Sequence, residues 1–325
     1  MQNFTRRQCI ATAATLLLSP VAALAQSTDL APTIKIVVPF PAGGAVDVMA
    51  RKIGEQMAKG LNRTVIVDNK VGAAGLIAIR AVAPTAGDGS TLLYAHSGLV
   101  TGQAMGAKYD LLKEFKPVAK LTFGPHLLVV KSDSPYKTQA DLVNAMKANP
   151  GKLNFGSGGA GSPTHLMYEM LEESVPGIKA THVPFKGAID AVMALVGGNI
   201  DFQFALPGAS VEFIKSGKLR ALSTTGAERF PLLPNVPTVA EAGAPGYRAE
   251  PWGGFVVPIK TPDSLVNMLA DASFAAVNTP EITQLVEQGG SRKAPKQTPA
   301  EFGAEIGREL AQHRIIVKRL GMVNE

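Results

Sequence analysis

A short run of mostly β-branched residues, Thr33-Ile34-Lys35-Ile36-Val37-Val38, runs straight into the glycine-rich turn Pro39-Phe40-Pro41-Ala42-Gly43-Gly44. Helical spacing follows at once, through Val46, Met49, Ala50, Ile53 and Met57. No other feature narrows the fold as far. A nearly continuous apolar run this short suits a strand covered on both faces, as in parallel sheets. The unit then recurs. Val65-Ile66-Val67 reads as a second strand, Ile77 to Ala83 as a helix ending before Pro84, and Thr91-Leu92-Leu93-Tyr94-Ala95 as a third strand. A second series begins at Leu127-Leu128-Val129-Val130 and includes Leu153-Asn154-Phe155, which enters the turn GSGGAGSPTH (156–165). Strands near His182 to Phe185, Ile200 to Phe204, Leu219 to Ser223 and Phe255 to Pro258 follow. Three helices close the chain, and Thr138-x-x-Asp141 and Thr298-x-x-Glu301 resemble capping boxes. Strands alternating with helices over short links predict an α/β fold with mixed, largely parallel sheets. The 325 residues suit roughly two domains of about 100–150 residues each.

Residues 1–25 belong to neither domain. They carry Arg6 and Arg7, no acid, an apolar stretch from Ile10 to about Leu18, and Ala23-Leu24-Ala25 where signal peptidase needs small side chains. The stretch is too short to cross a hydrocarbon layer of about 30 Å as a helix. It reads as a cleavable export signal, and the arginine pair after Thr5 hints at the twin-arginine route as against the general secretory one. The whole chain has 32 Lys and Arg against 26 Asp and Glu, for a net +6. Removing the leader takes two arginines and the single cysteine, Cys9, leaving a net +4 and no thiol. Such a chain is at ease in an oxidising compartment, which points to the periplasm. No run of five or six basic residues appears, so no nucleic-acid partner is expected.

Two turns invite a ligand. Pro41-Ala42-Gly43-Gly44 and Gly156 to Thr164 each place bare backbone beside a helix N-terminus, where unpaired N–H groups and the helix dipole favour an anion. Ser157, Ser162 and Thr164 add hydroxyls that can donate to a carboxylate. Asp47 stands in a helix first turn, where it either anchors the loop, the reading its position favours, or touches ligand. His165 either donates to the anion or bonds locally. Gly156, Gly158 and Gly161 satisfy G-x-G-x-x-G, but no acid stands about 20 residues on after a second strand, as a dinucleotide site requires. The histidines have no metal-binding spacing, and no G-x-S-x-G elbow is present. Neither cofactor nor metal is expected, and no catalytic residue stands out.

The segments IKIVVPFPAGGAVDVMAR (34–51), VIVDNKVGAAG (65–75), DGSTLLYAHSG (88–98), KLNFGSGGAGSPTHL (152–166), HVPFKG (182–187), LVGGNIDFQF (195–204), GKLRALSTTG (217–226) and LPNVPTVAEAGAPGY (233–247) span nearly the whole mature chain. In order and spacing they resemble the Bug-type (TctC-like) extracytoplasmic solute receptors of tripartite tricarboxylate transporters. The resemblance implies a two-lobe, type II-like periplasmic binding protein. One lobe would comprise residues 26–124 and 248–325, the other 125–247, with a ligand cleft between them. It implies a small organic carboxylate as ligand, transporter membrane subunits as partners, a monomer, and no enzymatic activity. Carried onto this chain, the ligand would meet Phe40, Ala42, Gly43, Gly44 and Asp47 on one side. Ser157, Gly161, Ser162, Pro163, Thr164 and His165 would face them, with Ser97, Gly98, Asp201, Ala205 and Leu206 lining the rest. Family members often carry tyrosine where Phe155 and Phe185 stand. If those positions face the ligand, the resemblance implies a less polar pocket and tilts toward a less polar or aromatic acid. Two alternatives stay open at this stage: a receptor feeding a signalling partner, and a secreted hydrolase built on Ser97/His96 or Ser162/His165.

Overall fold

The computed structural model describes residues 29–322, so the expected export signal lies outside the described residues. The chain opens with β1 (Thr33–Val38), α1 (Ala45–Leu61), β2 (Thr64–Asn69), α2 (Leu76–Val82), β3 (Thr91–His96), α3 (Ser97–Ala104), α4 (Leu111–Glu114) and β4 (Phe115–Phe123). It continues with β5 (Leu127–Lys131), α5 (Gln139–Ala148), β6 (Asn154–Ser157), α6 (Pro163–Ser174), β7 (Thr181–Pro184), α7 (Ala188–Val196), β8 (Phe202–Ala205), α8 (Pro207–Lys215) and β9 (Leu219–Thr224). It returns through β10 (Trp252–Pro258), α9 (Asp263–Val277), α10 (Pro280–Gln288), β11 (Arg292–Lys293) and α11 (Pro299–Arg319).

Two sheets result, ordered β11-β4-β10-β3-β1-β2 and β7-β6-β8-β5-β9. Each, with its helices, forms a lobe. The apolar run of β1 is explained by its place between β2 and β3, parallel to both. Ile34, Ile36 and Val38 enter one core, with α1 and α9, while Val37 enters the other, with α2 and α3. Fully burying one such side chain is worth about 1.5–3 kcal/mol, so this strand is a strong organiser of the lobe.

Among the described residues the parallel ladders are β1–β2, β1–β3, β6–β7 and β6–β8, besides an isolated parallel bridge between Thr224 and Thr238. The sheets are therefore more mixed than the sequence pattern suggests, and the reason is topological. β4 runs out of the first lobe into the second, and β10 runs back into the first, so the two must pair antiparallel. β10 likewise runs against β3, and β5 against β8 and β9. β4 itself escapes sequence reading, because Lys116, Pro117 and Lys120 interrupt its apolar pattern. The fold absorbs Pro117 at a register shift of the β4–β10 ladder, where a missing N–H costs little.

Both expected capping boxes form: Thr138 and Asp141 open α5, and Thr298 and Glu301 open α11. α11 then straddles the lobes. Phe302, Ile306 and Leu310 pack in the first lobe's core, Ile316 in the second's, and Arg319 donates to the Glu169 carbonyl of α6 (2.9 Å).

Candidate functional site

Five strands of the two sheets deliver their carboxyl ends into helix N-termini: β1 into α1, β3 into α3, β6 into α6, β7 into α7 and β8 into α8. Three of these helices, α1, α7 and α8, start at Gly44, Gly187 and Leu206 with no side-chain cap. The first N–H groups of α1 and α7 remain available for a ligand, whereas α8 begins at Pro207, which has none, and its Ala209 N–H donates to the Leu206 carbonyl (3.1 Å).

The first-lobe turn is pinned by an ionised side chain. Asp47 is buried; its Oδ2 accepts from the Gly43 N–H (2.8 Å) and from Arg51 Nε (3.0 Å), and its Oδ1 accepts from Asn69 Nδ2 (2.9 Å). Asn69 Nδ2 also donates to the Phe40 carbonyl (3.0 Å). The Arg51 guanidinium, followed by the Gly43 N–H, holds the carboxyl down at about 2. Asp47 thus anchors the loop, with both carboxylate oxygens committed. Gly43 takes φ 79°, and Phe40 lays its ring 4.8 Å from that of His96 at the end of β3. The His96 ring is itself engaged, its Nδ1 accepting from the Gly98 N–H (3.1 Å).

Neutral groups pin the second-lobe turn. Thr164 Oγ1 accepts from the Gly158 N–H (3.0 Å) and lies 3.1 Å from Ser162 Oγ. Ser157 Oγ donates to the Gly159 carbonyl (2.9 Å) or to His182 Nε2, 2.6 Å away. His165 Nδ1 accepts from the Gly161 N–H (2.9 Å), so its ring proton sits on Nε2, 3.4 Å from Glu169. The His165 and His182 rings stack at 3.8 Å, and burial pushes His182 down to about 4. Much of the hydroxyl and imidazole capacity that the sequence offers to a ligand is therefore spent on the turn, although of Ser162 and Thr164, which share one hydrogen bond, one keeps its hydroxyl proton to donate. α7 begins directly against this turn, since a side chain at Gly158 would meet the Ala188 backbone.

The expected residues 40–47 and 157–165 lie in the two turns and the first turns of α1 and α6, whereas others take different places. Ser97 is buried, its Oγ accepting from the Trp252 N–H (2.9 Å) and bonding Glu309. Asp201 sits at the opposite end of its strand from Ala205; its Oδ2 accepts from the Asn154 N–H (2.7 Å) at the start of β6, while the cleft lies where β6 and β8 end. Phe155 does not reach the cleft either. It is fully buried in a stack with Tyr168 (4.0 Å) and His182 (4.8 Å), two residues below Ser157, and Phe185 packs partly buried in the second lobe's other core. Leu206 and the turn residues 41–44 stand exposed at the edge.

Behind the turns, a cavity of about 570 Å³ separates the lobes, lined by Ser97, Thr101, Pro163, Met167, Trp252 and Glu309 among others. Trp252 Nε1 donates to Glu309 Oε2 (2.6 Å), and burial pushes this carboxyl up to about 7. Among the described residues, no group of three His, Cys, Asp or Glu side chains could hold a metal ion, and no helix is long and apolar enough to cross a membrane.

The sequence model of one family, described as "Tripartite tricarboxylate transporter family receptor", matches residues 49–322. The chain belongs to this receptor family. A relative from Pseudomonas sp. strain P51, the UPF0065 protein in the tcbD-tcbE intergenic region, is 36% identical over 299 residues, covering 90% of this chain and 88% of its own. Among solved structures, a TctC solute-binding protein from Polaromonas superposes with a TM-score of 0.79 at 29% identity, over 88% of this chain and 98% of its own. MatC from Rhodopseudomonas palustris, solved with bound malate, gives 0.73 at 31% identity over the same shares. The two-lobe architecture of the receptor is thus that of periplasmic solute-binding proteins. Sequence reading missed three of this receptor's notable residues: His182 under the second turn, Glu309 behind α3, and His126 at the crossing from β4 to β5. His126 and Glu309 stand in no motif, His182 opens HVPFKG with nothing there to mark its role, and each acquires its neighbours only through folding.

Proposed function

We propose that this receptor holds a small organic carboxylate between its two lobes and delivers it, outside the cytoplasmic membrane, to the membrane subunits of a tripartite transporter. The observation that carries this reading is that both lobes end strands in helices whose N-termini have no side-chain cap, α1 in one and α7 and α8 in the other. Neutral N–H donors accept a carboxylate without the desolvation cost of a buried ion pair. Bridging waters complete its hydrogen bonds and let the rest of the ligand vary. Contacts from both lobes coexist only when the lobes approach, so binding shifts the population toward the closed state. That MatC was solved with malate supports the carboxylate class.

Binding proceeds without turnover. In neither Ser–His pair is the histidine free to serve its serine: His165 Nδ1 is taken by the Gly161 N–H and His96 Nδ1 by the Gly98 N–H. Ser97 is occupied by Trp252. A thermal-shift screen of the exported protein against malate, adipate, glutamate and benzoate tests the reading. A bound acid at a hundred times its Kd adds about 2.7 kcal/mol to stability. A screen with no shift for any acid, or release of product from carboxylate esters, would defeat it.

A further inference from the structure

Glu169 follows His165 by one turn of α6 and is only 6% exposed, although it carries a carboxylate. Carboxylates are seldom buried so far without partners. Its Oε1 lies 3.4 Å from His165 Nε2 and its Oε2 3.8 Å from Arg319 Nη2. The same arginine donates to the Glu169 carbonyl (2.9 Å) from the end of α11, whose first half packs in the first lobe's core. Met105, just past α3, and Met322, just past α11, stand where a side chain at Gly161 would reach. Elements of the first lobe and the straddling helix thus meet the second-lobe turn twice, directly at Gly161 and through Arg319 at Glu169.

His165 is the part of this turn that can be set wrongly. Its ring stacks on that of His182 at 3.8 Å and 7°, which fixes the plane of the imidazole. Stacking is indifferent to a half-turn about the Cβ–Cγ bond, which keeps the plane but puts a C–H in place of Nδ1. It is equally indifferent to which nitrogen carries the proton. Either error deprives the Gly161 N–H of its acceptor, because that bond (2.9 Å) needs a bare Nδ1 at that place. A carboxylate facing Nε2 removes both errors, since it favours an N–H over a C–H there and draws the single ring proton to that side.

We propose that Glu169 is a positioning residue for the second-lobe turn: acting through His165, it keeps Nδ1 bare and turned to Gly161, and so holds the turn in the shape that binds the acid. This rests on the carboxylate reading above. Stability does not require a carboxylate here. With Nδ1 accepting, the His165 ring is uncharged, and the Arg319 side chain is 40% exposed, so a leucine in place of Glu169 strands no buried charge. Apolar replacement of a buried charged group is then often neutral or stabilising. A positioning role therefore predicts lost affinity without lost stability.

The test compares the exported wild type, Glu169→Leu and Glu169→Gln. Each is titrated calorimetrically with malate, adipate, glutamate and benzoate, its unliganded Tm is measured, and the nitrogen NMR resonances of the His165 ring are recorded, assigned by their loss in His165→Gln. The wild-type ring should be protonated on Nε2 alone. In Glu169→Leu that single form should be lost, and Kd should rise roughly three- to tenfold for every acid the wild type binds. Its unliganded Tm should stay within about 3 °C of wild type or rise. Glu169→Gln, whose amide oxygen can still face Nε2, should keep the single form and most of the affinity. Unchanged affinities in Glu169→Leu would overturn the assignment while leaving the carboxylate reading intact. A raised Kd with the Nε2–H form unaltered, or a Tm lower by more than about 3 °C, would mark a packing role and overturn it as well. If the wild type binds none of the four acids, the carboxylate reading fails first and the role of Glu169 falls with it.

Discussion

The two glycine-rich turns do the same work with opposite chemistry. In the first lobe, ionised Asp47 ties together Gly43, Arg51 and Asn69; in the second, Ser157, Thr164, His165 and His182 tie Gly158, Gly159 and Gly161 with uncharged groups. The surroundings account for the difference. Residues 41–45 are exposed and Arg51 is half-exposed, so the buried Asp47 carboxylate is neutralised by a guanidinium that itself stays in water. Ser157, Gly161, Thr164 and His165 are buried, where an isolated charge would cost far more than a neutral hydrogen bond. The contrast teaches that the turn is what matters, and that each lobe holds it with the chemistry its burial allows.

Substitution at the glycines should give the largest effect. A side chain at Gly161, which takes φ 71°, would run into Met105 from the first lobe. Overpacking of this kind costs about 1–3 kcal/mol, so Gly161→Leu should weaken acid binding roughly ten- to hundredfold in a calorimetric titration. Gly43 takes φ 79° but has open space around it, so Gly43→Leu carries backbone strain alone. Its loss should be smaller, and equal losses in the two would break the proposed asymmetry.

Acid should act through the buried histidines before it reaches Asp47. His96, His126, His182 and His313 are each held at about 4 by burial, below their ordinary 6.5. Between these values the unfolded chain binds more protons than the folded one, so stability falls as pH drops from about 6.5 toward 4. Asp47, held at about 2 against an ordinary 3.8, loses its contribution only below that window. Tm measured from pH 7 to pH 3 should therefore decline first above pH 4, and His182→Gln should shallow that decline. A Tm flat down to pH 4 would refute it.

Asp47→Asn tests the charged anchor directly. The carboxylate's hydrogen bonds from Arg51 and Gly43 weaken together, and a loss of about 1–2 kcal/mol is expected in urea unfolding at pH 7. Because Arg51 is half-exposed, added salt should narrow the gap between the two proteins. The smallest effect is expected at Glu309. Its carboxyl is raised by burial to about 7 from 4.5, so the folded state holds its proton longer and stability falls as pH rises through 4.5 to 7. Glu309→Gln keeps an acceptor for Trp252 and should raise Tm slightly at pH 8, with no gain at pH 4.5.

Much of the architecture was legible because it is written locally. The β1 run, the positive-φ glycines 43 and 161, and the two capping boxes each follow from a few neighbouring residues. The two candidate turns are written locally as well, since a strand running into a glycine-rich turn and a helix leaves unpaired N–H groups wherever it occurs. β4 was hidden because its lysines and proline are explained only by pairing with β10 and, for Lys120, by Glu305 from α11. Asp201 was expected at the ligand for a related reason: spacing within a segment does not say which end of a strand it occupies, and parallel pairing with β6 does.

What the sequence alone determined, then, is the α/β class and the receptor family, and it placed two glycine-rich turns at helix N-termini. Tertiary structure alone decided which donors remain free. Asp47, Ser157, Thr164 and His165 could each have faced a ligand, and each instead found a partner inside its own lobe. His126, in no motif, was left with a buried ring and no partner. The physical reason is that hydrogen-bonding capacity belongs to a residue type, whereas its satisfaction depends on which groups the fold brings within about 3 Å.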